Sequence, residues 1–153
     1  MRVPSPGRIF LCLTLAACAG TVGPGSFPSA GAVHAAGFTA RSVSGGYGFS
    51  LLTLGAVGSG VITADGNGNI TAGEETANVA GLSCHGTLNG SYTVNADGSG
   101  AATMFVTQDA ASSAKGCQPL ATHFSLALTN GGQQILMAQL DNTIVATGIA
   151  IKQ

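Results

Sequence analysis

The stretch TADGNGNITAGEE, Thr63–Glu75, decides how this chain is read. Its centre follows part of the twelve-position calcium-loop pattern, which wants an acid first, a glycine sixth and a bidentate acid last. Started at Asp65, the pattern places Asn67 and Asn69 correctly, but Ile70 stands where glycine belongs and Thr76 where the last acid belongs. Started at Thr63, the pattern fits Asp65, Asn67, Gly68, Ile70 and Glu74, yet its first ligand is a threonine. Such a loop joins two helices, whereas both flanks here alternate apolar and polar residues as strands do. Asp-Gly and Asn-Gly pairs supply the positive φ that tight hairpins need. The stretch reads as a hairpin turn, and Asp65, Asn67 and Glu74 as calcium ligands in appearance only.

Working outward from this turn, the chain from Ser44 onward is a succession of short alternating runs. Gly46–Leu54 and Gly58–Ala64 precede the turn, and Ile70–Val79 follows it. Gly86–Asn95, Ser99–Gln108, Ala121–Asn130, Gln134–Leu140 and Thr143–Lys152 complete the series, separated by ADG, GGQ and DN turns. The polar, Pro-terminated stretch DAASSAKGCQP is the longest connection, read as a loop. Connections of about two to five residues between strands favour an antiparallel meander of 7–8 strands. Closing the meander removes its exposed edges, so a small up-and-down β-barrel is expected, with a β-sandwich as the alternative. Met104, Phe105, Phe124, Leu126, Leu136 and Met137 are the apolar residues expected inside. A Gly-x-Tyr strand with an ADGxG turn occurs twice, around Tyr47 and Tyr92, which records two similar hairpins.

The first 35 residues have a different character. Arg2 and Arg8 are followed by the apolar run Ile9–Gly20 and then by small residues, the pattern of a secretory signal. That run falls short of the roughly 20 apolar residues of a membrane helix, and no transmembrane span is expected in the mature chain. Leu15-Ala16-Ala17-Cys18 fits the bacterial lipobox, which would lipidate Cys18, anchor the protein and leave residues 19–35 as a flexible tether. Cleavage after Ala19 or after Ala35 is the alternative. Residues 1–35 are thus a signal peptide, or a lipoprotein signal with tether, and residues 36–153 a single domain. The expected location is the periplasm, the outer membrane if Cys18 is lipidated, or the extracellular space.

Beyond the leader, Arg41, Lys115 and Lys152 face six acids. That balance excludes nucleic-acid binding through phosphate neutralisation and a polybasic membrane patch. The remaining cysteines, Cys84 and Cys117, form an even pair in an exported domain and read as a disulfide. Zinc held by Cys84, His85, Cys117 and His123 is disfavoured, because neighbours on a strand point to opposite faces. The same parity separates Glu74 from Glu75. Asp65, Asp97 and Asp141 fall in turns, where Asp stabilises local backbone. No nucleophile motif, metal set or cofactor fingerprint appears, so no catalytic residue or cofactor is assigned.

Taken together, GYGF (46–49), DGNGNI (65–70), GSYTVNADGSG (90–100) and DNTIVATG (141–148) resemble a family of uncharacterised exported bacterial proteins. These share Gly-x-Tyr-x-Phe, DGxGxI, GxYxVNxDGxG and a closing Asp-x-x-Thr-x-Val-x-x-Gly, from which this chain departs by having one residue, not two, between Asp141 and Thr143. The resemblance spans nearly the whole mature chain and implies no particular activity. In architecture alone the chain is similar to the allene oxide cyclase-like and lipocalin-like barrels, which licenses no function. The leading reading is an exported or cell-envelope barrel, noncatalytic, acting in structure or interaction. A carrier of a small apolar ligand and a cyclase- or isomerase-like enzyme are the alternatives. Tyr47, Tyr92 and His123 are the candidate ligand-binding residues.

Overall fold

The computed structural model describes residues 37–141 and 146–153. The leader, Cys18, the cleavage positions and residues 142–145 of the last expected strand lie outside the described residues. The strands are β1 (Ser44–Thr53), β2 (Ala56–Asp65), β3 (Asn69–Val79), β4 (Leu82–Val94), β5 (Ser99–Gln108), β6 (Leu120–Thr129), β7 (Gln134–Gln139) and β8 (Ala146–Lys152). Each pairs antiparallel with the next, and β8 returns to β1, with Tyr47 opposite Lys152 and Thr53 opposite Ala146. The meander is closed, so the barrel is formed and the sandwich is not. Among the described residues no helix is long and apolar enough to cross a membrane.

Turn chemistry sets the hairpins. At the β2–β3 reversal Gly66 and Gly68 have φ of 77° and 104°, which an L side chain rarely adopts. Asp65 Oδ1 accepts from the backbone N–H of Asn67 at 2.7 Å and of Asn69 at 3.0 Å, and Oδ2 accepts from Asn69 Nδ2 at 2.7 Å. Asp97 does the same at the next such turn, accepting from Ser99 N at 2.9 Å. One connection departs from expectation: inside DAASSAKGCQP lies a short helix, α1 (Ala110–Ala114). Asp109 caps it by accepting from Ser112 N at 2.6 Å. A single turn of helix shows too little periodicity to be read from sequence.

Along every strand one face is apolar and points inward, while the outer face of β3 to β5 carries mostly Thr, Ser, Asn, Glu and His. On these three strands this is the reverse of a lipid-embedded barrel, which is apolar outside, whereas Val57, Val61, Leu136 and Ile151 are exposed on β2, β7 and β8. Met104, Phe124, Leu126 and Met137 are buried within, as expected. Phe105 and Leu136 instead face outward, 47% and 46% exposed. They follow or precede an inward methionine, and side chains alternate with period two, so both cannot point in.

The two ends of the barrel differ. At the floor lie the turns at residues 66–68, 95–98 and 130–133, together with a strap formed by residues 38–43. Tyr47 (0% exposed), Ile62, Ile70, Tyr92, Leu126, Ile135 and Ala150 pack this half under the strap's Val43. Only an apolar void of about 20 Å³ remains among them. At the mouth lie the turns at residues 54–55 and 80–81 and the α1 connection.

Candidate functional site

The described side chains leave the mouth half of the lumen unfilled. Residues from all eight strands surround a chamber of about 120 Å³ there, with Phe124 and Leu88 as its base. A side chamber of about 250 Å³ continues from it beneath the α1 connection, between β3, β5 and residues 116–120. Glu75, Ala77, Val79, Val106 and Leu120 line both. The walls are almost wholly aliphatic. Around the rim Leu52, Leu54, Val57, Val79, Leu120 and Leu140 are exposed, Leu54 completely.

The wall of the side chamber is held by the pair Cys84 and Cys117, which lie at disulfide distance with Cα atoms 5.9 Å apart. Cys84 is an inward residue of β4 and Cys117 follows α1, so the bridge pins the loop to the barrel. Ser112 of α1, buried, adds a second tie, its Oγ accepting from His85 N at 2.8 Å.

Glu75 is the ionisable side chain in this lining, and its position follows from a break in the β3 ladder. Thr63 pairs with Ala72, but Ala64 pairs with Ile70, leaving Thr71 as an extra residue. Strict alternation from inward Ile70 would send Glu74 inside. The bulge shifts the phase by one, so Glu75 enters the lumen and Glu74 faces out opposite Val61 and Thr87. Its cross-strand neighbours are Gly60 on β2 and Gly86 on β4, where an added Cβ would strike the Glu74 carbonyl and the Phe49 ring, or the Thr107 carbonyl. The carboxylate lies over Gly58, where an added Cβ would sit 2.8 Å from Oε1. Burial raises the pKa of Glu75 above the ordinary carboxyl value, with no hydrogen bond or neighbouring cation to oppose it.

Gln108, at the inner end of β5, is the second polar group. Its Nε2 donates to the Gln118 carbonyl at 3.3 Å, while its Oε1 is buried without a partner. A backbone carbonyl only accepts, so this contact settles which end of the amide meets Gln118, and Oε1 is turned into the surrounding protein with almost no accessible surface. An orphaned buried acceptor costs about 1–3 kcal/mol.

The residues singled out from sequence lie elsewhere. Tyr47 and Tyr92 do point into the barrel, but at the floor. The Tyr47 hydroxyl donates to Gly132 O at 2.8 Å and also reaches Ser42 O at 3.4 Å, and the Tyr92 hydroxyl donates to Val43 O at 2.5 Å and contacts Ala40 O at 3.1 Å. They tie the strap and the β6–β7 turn to the barrel, and their burial raises both phenol pKa values. His123 lies on the outer face of β6, 55% exposed, with Nδ1 2.8 Å from Asp141 Oδ1. Asp141 Oδ2 also accepts from His123 N at 2.9 Å, so this carboxylate ties the end of β7 to β6. His85 is likewise outside, 3.2 Å from Asp109. Both carboxylates are held below the ordinary range, mainly by backbone N–H donors, Ser112 for Asp109 and His123 for Asp141. Asp65 has its oxygens occupied by the turn, and Glu74 stands along β3 from it, so the apparent calcium set is dispersed. The signal that would have singled out Glu75 is its pair of glycine neighbours, which becomes visible only once register is known. No known protein family, curated protein or solved structure matches this chain.

Proposed function

We propose that the protein is an exported, noncatalytic barrel that binds one small, mainly apolar molecule in the mouth half of its lumen. The observation that carries this reading is the contrast between the two ends. The same barrel packs its floor to a void of about 20 Å³ and leaves aliphatic chambers of about 120 and 250 Å³ at its mouth. Eight-stranded barrels are just wide enough either to fill with side chains or to hold one small ligand. The chambers fall below the roughly 300–1,000 Å³ of drug-sized pockets, and about 150 Å³ already admits benzene. A single ring or a short chain is the right size. The apolar rim favours entry of such a molecule from water by burying it progressively.

A binding role is favoured over a cyclase or isomerase role by the distribution of titratable groups. His85 and His123 stand outside the wall, so among the described residues Glu75 has no acid or base beside it with which to share proton transfer. Isothermal titration with n-hexanol, a neutral short-chain probe, tests the reading. One saturable site is expected, abolished by Ala77→Phe, which fills the chamber at its centre. Absence of saturable binding, or undiminished binding in a folded Ala77→Phe protein, refutes it.

A further inference from the structure

The polar atoms of the side chamber are not a random mixture. Gln108 Nε2 is committed to the Gln118 carbonyl, and Gln118 Nε2 to the Gly116 carbonyl at 3.3 Å. With these donors spent on the loop itself, and Gln108 Oε1 buried out of reach, the charged acceptor that the described lining offers is the Glu75 carboxylate. Among the described residues no cation shares the chamber lining with Glu75, since Lys115 is exposed on the loop and does not line it. A carboxylate among mainly apolar walls defines a complement: an apolar body ending in a hydrogen-bond donor, and a cationic donor above a neutral one.

We propose that the ligand is a small apolar amine, its ammonium received by the Glu75 carboxylate. This inference rests on the chamber being a binding site. An ammonium has three donors and no acceptor, so it pairs with the carboxylate without repelling it. A carboxylate ligand would meet Glu75 as a like charge. An alcohol brings one neutral donor and no charge. The charge-assisted contact is the stronger kind, and here it forms away from bulk water. The Glu75 side chain needs no competing partner to be broken first.

Hexylamine, n-hexanol and hexanoate share one chain and differ in the headgroup, and calorimetric titration of all three at neutral pH is the test. The amine is expected to bind at least tenfold more tightly than the alcohol, with hexanoate weakest. In Glu75→Gln the amine-to-alcohol affinity ratio should fall to within about twofold of one, whereas Glu74→Gln, on the outer face, should retain the preference. Hexanol binding with no preference for the amine, or a preference that persists in Glu75→Gln, overturns the inference and leaves the chamber reading standing. Failure of all three probes to bind the wild-type protein removes both.

Discussion

Ala77 and Ala150 are both inward alanines, one in the mouth half and one in the floor half, and the same substitution should act on them in opposite directions. Ala77 lines both chambers and is partly exposed to them. Ala77→Leu adds three carbons that enter existing space. Complete burial at about 0.8 kcal/mol per methylene would give roughly 2.4 kcal/mol. Partial burial and about 0.5–1 kcal/mol of lost rotamer freedom reduce this to about 1 kcal/mol of net stabilisation. Ala150 is 1% exposed and touches the void of about 20 Å³, which cannot hold three carbons. Ala150→Leu should therefore cost about 1–3 kcal/mol through overpacking. In urea, with m of about 1–3 kcal/mol/M, the two midpoints should separate by about a molar or more at unchanged m. Ala77→Leu should also weaken hexanol binding. Equal destabilisation by both substitutions would mean that the mouth is as tightly packed as the floor, and the functional reading would fall with that result.

The other expectations concern the devices that frame the chamber. Tyr92→Phe removes the donor to Val43 O and leaves that buried carbonyl without it, while Ala40 O keeps the Val43 N–H, so a loss of about 1–3 kcal/mol is expected in denaturant unfolding. A loss below about 0.3 kcal/mol would show that the strap does not depend on it. Replacing Cys84 and Cys117 by alanine opens a loop of 33 residues and should cost about 3–4 kcal/mol by chain entropy, read as a lower melting temperature. An unchanged melt would contradict the bridge's role. The carboxyls predict two opposite pH dependences. Asp65, Asp97, Asp109 and Asp141 have depressed folded-state values, so their stabilisation is present above about 3.8 and fades as pH falls below it. Glu75 is raised, so its relative stabilisation is present below the ordinary value of 4.5 and lost as pH rises through its folded value. Glu75→Gln should therefore be more stable than wild type at neutral pH, with the gap closing towards pH 4.5. A gap that widens on acidification would place Glu75 in an environment unlike the one described.

The barrel was legible because its punctuation is local. Asp65-Gly66 and Asp97-Gly98 bind their own backbone within a few residues, so turn chemistry could be read from adjacent letters. The cysteine pairing was legible because only one pair remained. The site was not, and the reason is register. Glu75 faces the lumen because one extra residue, Thr71, shifts the phase of β3, and a bulge leaves no mark that alternation can detect. Its glycine neighbours, Gly60 and Gly86, stand on other strands. Tyr47 and Tyr92, read as candidate ligand-binding residues, point inward, but sequence could not say which end of the barrel they occupy or that a strap waits there for their hydroxyls. His123 drew notice as a lone histidine, yet its position after Thr122 and before Phe124, both inward, sends it outside. Its carboxylate partner, Asp141, sits 18 residues away and meets it only through strand pairing.

The most direct measurement is a chemical-shift titration of isotopically labelled protein with hexylamine. The account predicts saturable perturbations concentrated at Glu75, Ala77, Val79, Val106 and the Gln108 side-chain amide, with the floor residues Tyr47 and Tyr92 unmoved. Perturbations spread over the outer face, centred on the floor, or absent up to probe saturation would contradict it.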